Sequence, residues 1–446
     1  MSEELHDHYR RFFLIIARRR IIFDTDPGVD DTLAMLLALA SSADEIELVM
    51  ISVTYGNVTL RRCLKNVVAM FYVLEKEMEW RKTNGKPQGY ESLRTYRPII
   101  ALGPEHALEE ETLREDGFHG LDGLHGVHEA QPQLNPDDEW QTLFEDTSLP
   151  PSSEQASYHK YFTPSKMPAH KAILQLLKDE PIDTITICAV GPMTNLALAA
   201  AEDPEAFLRA KEICVMGGAV EVPGNITPLA EFNTYADAIA TARVFALTSA
   251  VPSSTMPVVP QTLARLEAYP VQLSRRLNLS LFPLDITNPH LLMKNFFFKT
   301  ITQYVEQESP LALWLNHIIG AIYRRMERFI PADREAGLPL HDPLTIWYNI
   351  TRDSFPWKLA ANAPEDIRVE TSGQWTHGMH ILDRRGRRRA PGAAQGGQSG
   401  DAAAVDELPG DDFGWLSAKR GNRINRFVES PGHDKFAPEL MQRLFS

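Results

Sequence analysis

Arg20-Ile21-Ile22-Phe23-Asp24-Thr25-Asp26-Pro27-Gly28-Val29-Asp30-Asp31 is the stretch from which the fold of this 446-residue chain can be read. A short apolar run with β-branched and aromatic residues meets a Pro-Gly pair, and Thr32 to Ala40 continues with apolar residues and good helix formers. The order is strand, turn, helix. Glu47 to Val53 reads as a second buried strand, ending at Thr54-Tyr55-Gly56-Asn57, and Arg61 to Lys76 has apolar residues at helical spacing. The rhythm returns at Ile99 to Leu102, at Thr184 to Val190 with a helix over Asn195 to Ala201, and at Glu212 to Met216 before Gly217-Gly218. Alternation of this kind predicts an α/β fold: one large domain with a mainly parallel, Rossmann-like central sheet flanked by helices. In such sheets ligands bind beyond the carboxyl ends of the strands, so the turns found there are where chemistry is expected.

Composition narrows the function classes. Asp and Glu outnumber Lys and Arg by 59 to 45, a formal charge of −14 that disfavours nucleic acid and anionic membrane surfaces as partners. A phosphate-free small molecule or a bound cation fits better. Cys63, Cys188 and Cys214 are scattered and lack CxxC spacing, which suggests neither a disulfide framework nor a zinc knuckle and points to a reducing, cytoplasmic setting. The apolar run Phe12 to Ala17 is too short for a signal-peptide core or a membrane span, and Arg18, Arg19 and Arg20 follow it. Residues 1–19 read as an N-terminal extension to a 20–446 domain. Two stretches break the α/β rhythm, 128–165, rich in Pro, Ser, Asp and Glu, and 384–412, which runs from a basic cluster through Gly and Ala to acid. Both read as surface insertions.

Four aspartates within eight residues, Asp24, Asp26, Asp30 and Asp31, exceed what capping the following helix requires. Crowded carboxylates repel one another unless a cation intervenes, and Ca²⁺ accepts six to eight oxygen ligands of this type. His119, His125 and His128 could suggest a zinc cluster, but their glycine-containing spacing makes that signal weak.

With these residues in view, the chain resembles the inosine-uridine-preferring nucleoside hydrolases, whose hallmark is Asp-x-Asp-Pro-Gly-x-Asp-Asp. The resemblance runs in order from Ile21 to about Asp383. It implies a calcium ion held by Asp26, Asp31, the main-chain oxygen of Val190 before Gly191-Pro192-Met193-Thr194-Asn195, and Asp342 of His341-Asp342-Pro343. It implies ribose recognition by Asp30, Asn57, Asn225, Glu231 and Asn233, with Asp342 also able to accept from a hydroxyl. Asp26 is the implied general base. His341, protonated and positioned by Asp342, and His119, in a His-Gly-x-x-Gly loop, are implied on the leaving-base side. Thr287-Asn288-Pro289-His290 departs from the usual family pattern and could reshape the base pocket. The substrate expected is a purine or pyrimidine ribonucleoside such as inosine or uridine, and the enzyme is expected as a homo-oligomer, dimer or tetramer. Two competing classes are a non-catalytic ribose-binding protein of the same fold and a Mg²⁺-dependent phosphatase, although such phosphatases need a Lys and a later acidic pair and the continuation Pro27-Gly28-Val29-Asp30-Asp31 is not theirs.

Overall fold

The computed structural model describes residues 18–108, 117–145, 157–258, 266, 268–385, 410–417 and 419–446. Its strands, in chain order, are β1 Arg19–Thr25, β2 Ile46–Val53, β3 Ile99–Leu102, β4 Thr163–Pro164, β5 Ile185–Ala189, β6 Glu212–Met216, β7 Leu279–Phe282, β8 Leu291–Met293, β9 Gly337–Pro339, β10 Lys358–Leu359, β11 Ile367–Val369, β12 His380–Leu382 and β13 Asn425–Glu429. Nine of them form one sheet in the order β10-β13-β7-β6-β5-β1-β2-β3-β4, with β8-β9 and β11-β12 as separate two-stranded ribbons. Every neighbouring pair in the large sheet is parallel except β10 with β13. The expected mainly parallel sheet is therefore present.

Central β1 is buried on both faces: Ile21 and Phe23 point into one apolar layer and Ile22 into the other. A strand covered on both sides has no polar alternation, which is why it reads as a continuous apolar run. From β1 the chain winds outward through β2, β3 and β4, then returns to the opposite side of β1 for β5, β6 and β7. The strand order thus reverses between β1 and β5, and the crevice beyond their carboxyl ends is the expected ligand position. Asp26 follows β1 and Val190 follows β5 at that point.

The Val29–Ala40 helix is buried from Val29 to Leu39. It is covered by the Pro343–Thr351 and His433–Phe445 helices. The second helix runs over Leu60–Thr83, beyond the Lys76 end expected from its apolar spacing. The extra turns depend on a charged pair that periodicity cannot detect. Arg81 Nε donates to Glu77 Oε1 at 2.7 Å, both side chains are buried, and Arg81 also donates to the Leu444 and Ser446 carbonyls. Glu77 Oε2 accepts from Ser309 Oγ at 2.6 Å and from the Leu311 N–H. One buried pair thereby joins this helix to the Pro310–Met326 helix and to the C-terminus.

Of the 128–165 segment read as a surface insertion, the described parts are anchored: Leu134, Trp140, Tyr158 and Phe162 are buried in the core and β4 extends the sheet. Aromatic anchors among Pro, Ser and acidic residues carry no periodicity, so composition alone cannot reveal this docking. Residues 146–156, 386–409 and 1–17 lie outside the described residues, and with them most of the 384–412 segment and of the N-terminal extension.

Replacing Glu77 with Ala leaves Arg81 buried without its carboxylate, and the expected loss is about 3–5 kcal/mol in urea unfolding. A loss below about 1 kcal/mol would mean that the pair contributes no more than a surface ion pair.

Candidate active site

Pro27 and Gly28 turn the chain so that Asp30 and Asp31 fall in the first turn of the Val29–Ala40 helix, where the helix dipole favours negative charge. Thr25 Oγ1 donates to Asp31 Oδ1 at 2.6 Å, and the Gly28 N–H and the Asn57 amide donate to Asp31 Oδ2 at 2.9 and 3.0 Å. Asp26 Oδ2 accepts from the Asn57 N–H at 2.7 Å, whereas its Oδ1 is buried with no hydrogen-bond partner. Close approach of backbone makes glycine necessary around it. A Cβ on Gly56 would lie 2.1 Å from Asp26 Oδ2, and one on Gly191 2.5 Å from Asp26 Oδ1.

Carboxylate oxygens of Asp30, Asp31 and Asp342 all lie within 4.8 Å of one another. Among the described residues, none of these three, nor Asp24 or Asp26, forms an ion pair with Lys or Arg. Burial, reinforced by repulsion from Asp31, pushes Asp30 up to about 7. Burial and the neighbouring carboxylates drive Asp26 and Asp342 well above the carboxylate range. Burial also raises Asp31, against the hydrogen bonds from Thr25 and Gly28. Such a cluster needs either protons or a cation. An orphaned buried carboxylate oxygen beside three converging carboxylates is an all-oxygen donor set of the kind a hard divalent cation takes. The residues present therefore fit a metal.

Asp24, the remaining aspartate of the turn, is fully buried and does not line the cavity in front of the cluster. Its Oδ1 accepts from the Asn195 amide at 2.8 Å, and burial pushes it up to about 7. It holds Asn195, which also donates to Ser52 Oγ at 3.0 Å, so it ties the turn after β5 to β1 and β2.

In front of the cluster lies a cavity of about 310 Å³. All six residues expected to bind substrate, Asp30, Asn57, Asn225, Glu231, Asn233 and Asp342, line it, and so does Val190. Their orientations are fixed. Glu231 caps the Phe232–Ala236 helix, its oxygens accepting from the N–H groups of Gly218, Asn233 and Thr234. Asn225 Oδ1 accepts from the Phe232 N–H at 2.9 Å, which leaves its amide hydrogens to act as donors. Asn233 Nδ2 donates to the Val190 carbonyl at 2.7 Å. Asp26 and Asp31 are fully buried and are not on the cavity wall. The tight carboxylate trio contains Asp30, which the sequence reading assigns to ribose alone, and leaves Asp26 beside it, close enough to raise the Asp342 carboxyl.

His119 and His341 also line the cavity. The Val29 N–H, at the start of its helix, donates to His119 Nδ1 at 3.0 Å. A ring whose Nδ1 accepts carries its proton on Nε2, so His119 is a fixed donor. Burial, with His125, His341 and Arg325 nearby, pushes it down to about 3. His341 Nδ1 is hydrogen-bonded to Thr287 Oγ1 at 2.7 Å, and burial, then His290, pushes it down to about 4. Two expectations about His341 are thereby corrected: its orienting partner is Thr287 rather than Asp342, and its burial favours a neutral ring rather than a protonated one.

The stretch flagged as a departure divides, Asn288 lining the cavity while His290 is buried against Trp347 and Phe436 with Nε2 on Ser430 Oγ. Phe118, Met216, Met326 and Pro339 complete the wall without having been anticipated. Phe118 could have been inferred from its position beside His119. Met326 ends an ordinary amphipathic helix, and no local signal distinguishes it. His128 is no zinc ligand, since its two ring nitrogens lie 2.7 and 2.8 Å from the Asn135 and Asn66 side-chain oxygens.

A sequence model described as inosine-uridine preferring nucleoside hydrolase matches residues 21–407. The chain belongs to this family. Its reaction is hydrolysis of an N-glycosidic bond, and nucleoside hydrolases of this family depend on a metal. An uncharacterized protein of Schizosaccharomyces pombe is 29% identical over 82% of this nucleoside hydrolase and 89% of that relative. The pyrimidine-specific ribonucleoside hydrolase RihA of Citrobacter koseri is 27% identical over 81% and 88% of the two chains. Among solved structures, the plant nucleoside hydrolase PpNRh1 aligns with a TM-score of 0.59 at 20% identity, covering 96% of this chain and 99% of that one. The purine-preferring ribonucleoside hydrolase from Gardnerella vaginalis aligns with the same TM-score at 22% identity, over 96% and 98%. These two alignments establish a shared fold.

Because burial raises the Asp30 carboxyl to about 7 in the folded, metal-free chain, and raises its neighbours Asp26, Asp31 and Asp342 as well, the stability that their protons contribute is present below the unfolded pKa of about 4 and, at Asp30, is lost as pH rises through about 7. A divalent cation must displace those protons. The rise in melting temperature on adding saturating cation to chelator-stripped protein should therefore grow between pH 5 and about pH 7.5. An increment that is flat across that window in thermal-shift measurements would contradict this account.

Proposed function

We propose that this nucleoside hydrolase is a calcium-dependent N-ribohydrolase that cleaves purine and/or pyrimidine ribonucleosides, inosine and uridine among them, to ribose and free base. The observation that carries the reading is the meeting, in one cavity, of the six residues assigned to ribose with a buried carboxylate cluster that has no cationic partner among the described residues. Asp26, Asp31, Asp342 and the Val190 carbonyl would hold the ion, and Asp30 stands beside them. Calcium suits a flexible set of carboxylate and carbonyl oxygens better than magnesium, which keeps more of its water. When bound, the ion lowers the pKa of water into a range where a carboxylate can take its proton.

Asp26 is the base for that proton, since its Oδ1 has no other partner. Hydroxide adds to C1′ as the bond to the base nitrogen breaks, and the sugar between them is oxocarbenium-like. Asp30 and Asp342 accept from the ribose hydroxyls, while Asn57, Asn225 and Asn233 supply amide groups on the same wall. His119 offers its Nε2–H to an acceptor on the departing base, and His341, neutral and held by Thr287, lies on the same wall to stabilise it by hydrogen bonding. The donor fixed on His119 suits a ring carbonyl or a purine nitrogen, and inosine and uridine each provide such an acceptor. The three buried free thiols accord with a reducing cytoplasmic setting. A dimeric or tetrameric state is supported by the family resemblance alone.

Released base, quantified from a panel of ribonucleosides, should vanish on chelation and return with calcium. Asp26→Asn should lower kcat by about 10²- to 10⁴-fold, and hydrolysis that survives undiminished in this variant would remove Asp26 as the base. A 2′-deoxynucleoside leaves buried acceptors unpaired and should lose about 10⁴-fold in kcat/KM. Comparable turnover of the deoxy and ribo substrates would overturn the assignment of the polar wall to ribose.

A further inference from the structure

Two of the segments that line the cavity come from distant parts of the chain: the turn after β1, which contributes Asp30, and the loop Gly117-Phe118-His119-Gly120-Leu121-Asp122-Gly123-Leu124-His125-Gly126, which contributes Phe118 and His119. That loop is an unusual piece of backbone. Gly117, Gly120, Gly123 and Gly126 recur at every third residue, and all have left-handed φ, between +68° and +85°. Glycine loses the most conformational freedom on folding, so a loop of this composition holds a histidine in place only if something outside pins it.

Besides the packing of buried Leu124, three polar contacts do so. The Val29 N–H meets His119 Nδ1, His317 Nε2 lies 3.1 Å from the His125 carbonyl, and the Asn66 amide donates to the Asp122 carbonyl at 3.0 Å. Asn66 belongs to the Leu60–Thr83 helix and is fully buried. Its second amide hydrogen goes to the Pro27 carbonyl at 2.9 Å, inside the metal turn between Asp26 and Gly28. With both hydrogens committed to carbonyls, Oδ1 is left facing His128 Nε2 at 2.8 Å. The amide therefore cannot flip without losing all three bonds. It approaches so closely that a Cβ on Gly123 would lie 2.6 Å from Asn66 Nδ2.

We propose that Asn66 is a positioning residue that locks the glycine-rich base-side loop to the metal turn, and so holds His119 against the departing base. The proposal rests on reading His119 as a base-side donor. Loss of the lock falls unequally on the two segments. The turn keeps its other ties, from Thr25, the Gly28 N–H and Asn57 to Asp31 and Asp26. Among the described residues the loop keeps the packing of its buried Leu124 and the His119 and His317 hydrogen bonds, and the His119 contact is the one whose geometry matters. Asn66→Ala should therefore damage the step that depends on the base while sparing metal and ribose binding.

The test compares two substrates. Inosine needs help from the enzyme at its leaving base, whereas 4-nitrophenyl β-D-ribofuranoside expels a phenolate that leaves without it. Asn66→Ala should lower kcat/KM for inosine about 10- to 100-fold and that for the nitrophenyl riboside by no more than about 3-fold, with the calcium-induced rise in melting temperature unchanged. Should Asn66→Ala fail to fold, Gly123→Ala strains the same contact from the loop side and should give the same split. His119→Ala in parallel separates the two levels of the claim. If His119→Ala splits the substrates and the Asn66 and Gly123 variants do not, the positioning role is overturned. If His119→Ala itself shows no split, the base-side reading of His119 fails and the proposal with it. A proportional fall on both substrates in Asn66→Ala would place its effect in the metal and ribose half and would equally overturn the lock.

Discussion

Mutual repulsion among buried carboxylates organises this protein. Asp30, Asp31 and Asp342 meet within 4.8 Å in a place where, among the described residues, none of them forms an ion pair with Lys or Arg, and Asp26 adds its field and an oxygen with no hydrogen-bond partner among those residues. Bringing like charges together out of water is unfavourable, and neighbouring structure offsets it in specific ways. The helix that begins at Val29 places its positive end there, Thr25, Gly28 and Asn57 donate hydrogen bonds, and glycines at 56 and 191 let backbone approach Asp26. What these leave uncompensated is the driving force for taking up a cation.

The topology explains why such a cluster can be assembled from Asp26 and Asp342, residues more than three hundred positions apart. Where the sheet reverses between β1 and β5, two strand ends diverge and leave a crevice that neither covers. Asp26 and Val190 enter from those two ends, and Asp342 comes from the start of the Pro343–Thr351 helix, which packs against the Val29–Ala40 helix. A rigid, doubly covered sheet holds the half that carries the carboxylate cluster still. The opposite half rests on a loop with four left-handed glycines, and its order depends on a few named contacts.

The histidines illustrate how burial selects a chemical role. Sequence adjacency of His341 to Asp342 suggests a charged imidazole, because an opposite charge nearby favours protonation. In the fold His341 is oriented by Thr287 and both cavity histidines are buried, so desolvation dominates and favours neutral rings. A neutral ring with its acceptor nitrogen occupied is a donor of fixed direction, which is a more selective tool than a mobile charge. For His119 the fixing contact is a backbone N–H ninety residues away.

Much of this protein was legible in its sequence. The Asp-Thr-Asp-Pro-Gly-Val-Asp-Asp turn, the strand rhythm of β1, β2, β3, β5 and β6 and the ordered set Asn57, Val190, Asn225, Glu231, Asn233, His341 and Asp342 are local or motif-bound features, readable because turn chemistry and apolar runs are written in consecutive residues. The six residues assigned to substrate do line one cavity. Short β7 and β13, the last turns of the Leu60–Thr83 helix and the docking of the 128–165 segment were not legible, because each depends on a distant partner: a neighbouring strand, the Glu77–Arg81 pair with Ser309, or a core that accepts Trp140 and Phe162. By itself the sequence determined which residue types were available and what turn chemistry they impose. Only the tertiary structure decided that Asp30 joins Asp31 and Asp342, that His341 answers to Thr287, and that Asn66 joins the two halves of the site, since proximity and desolvation arise only when remote segments pack together.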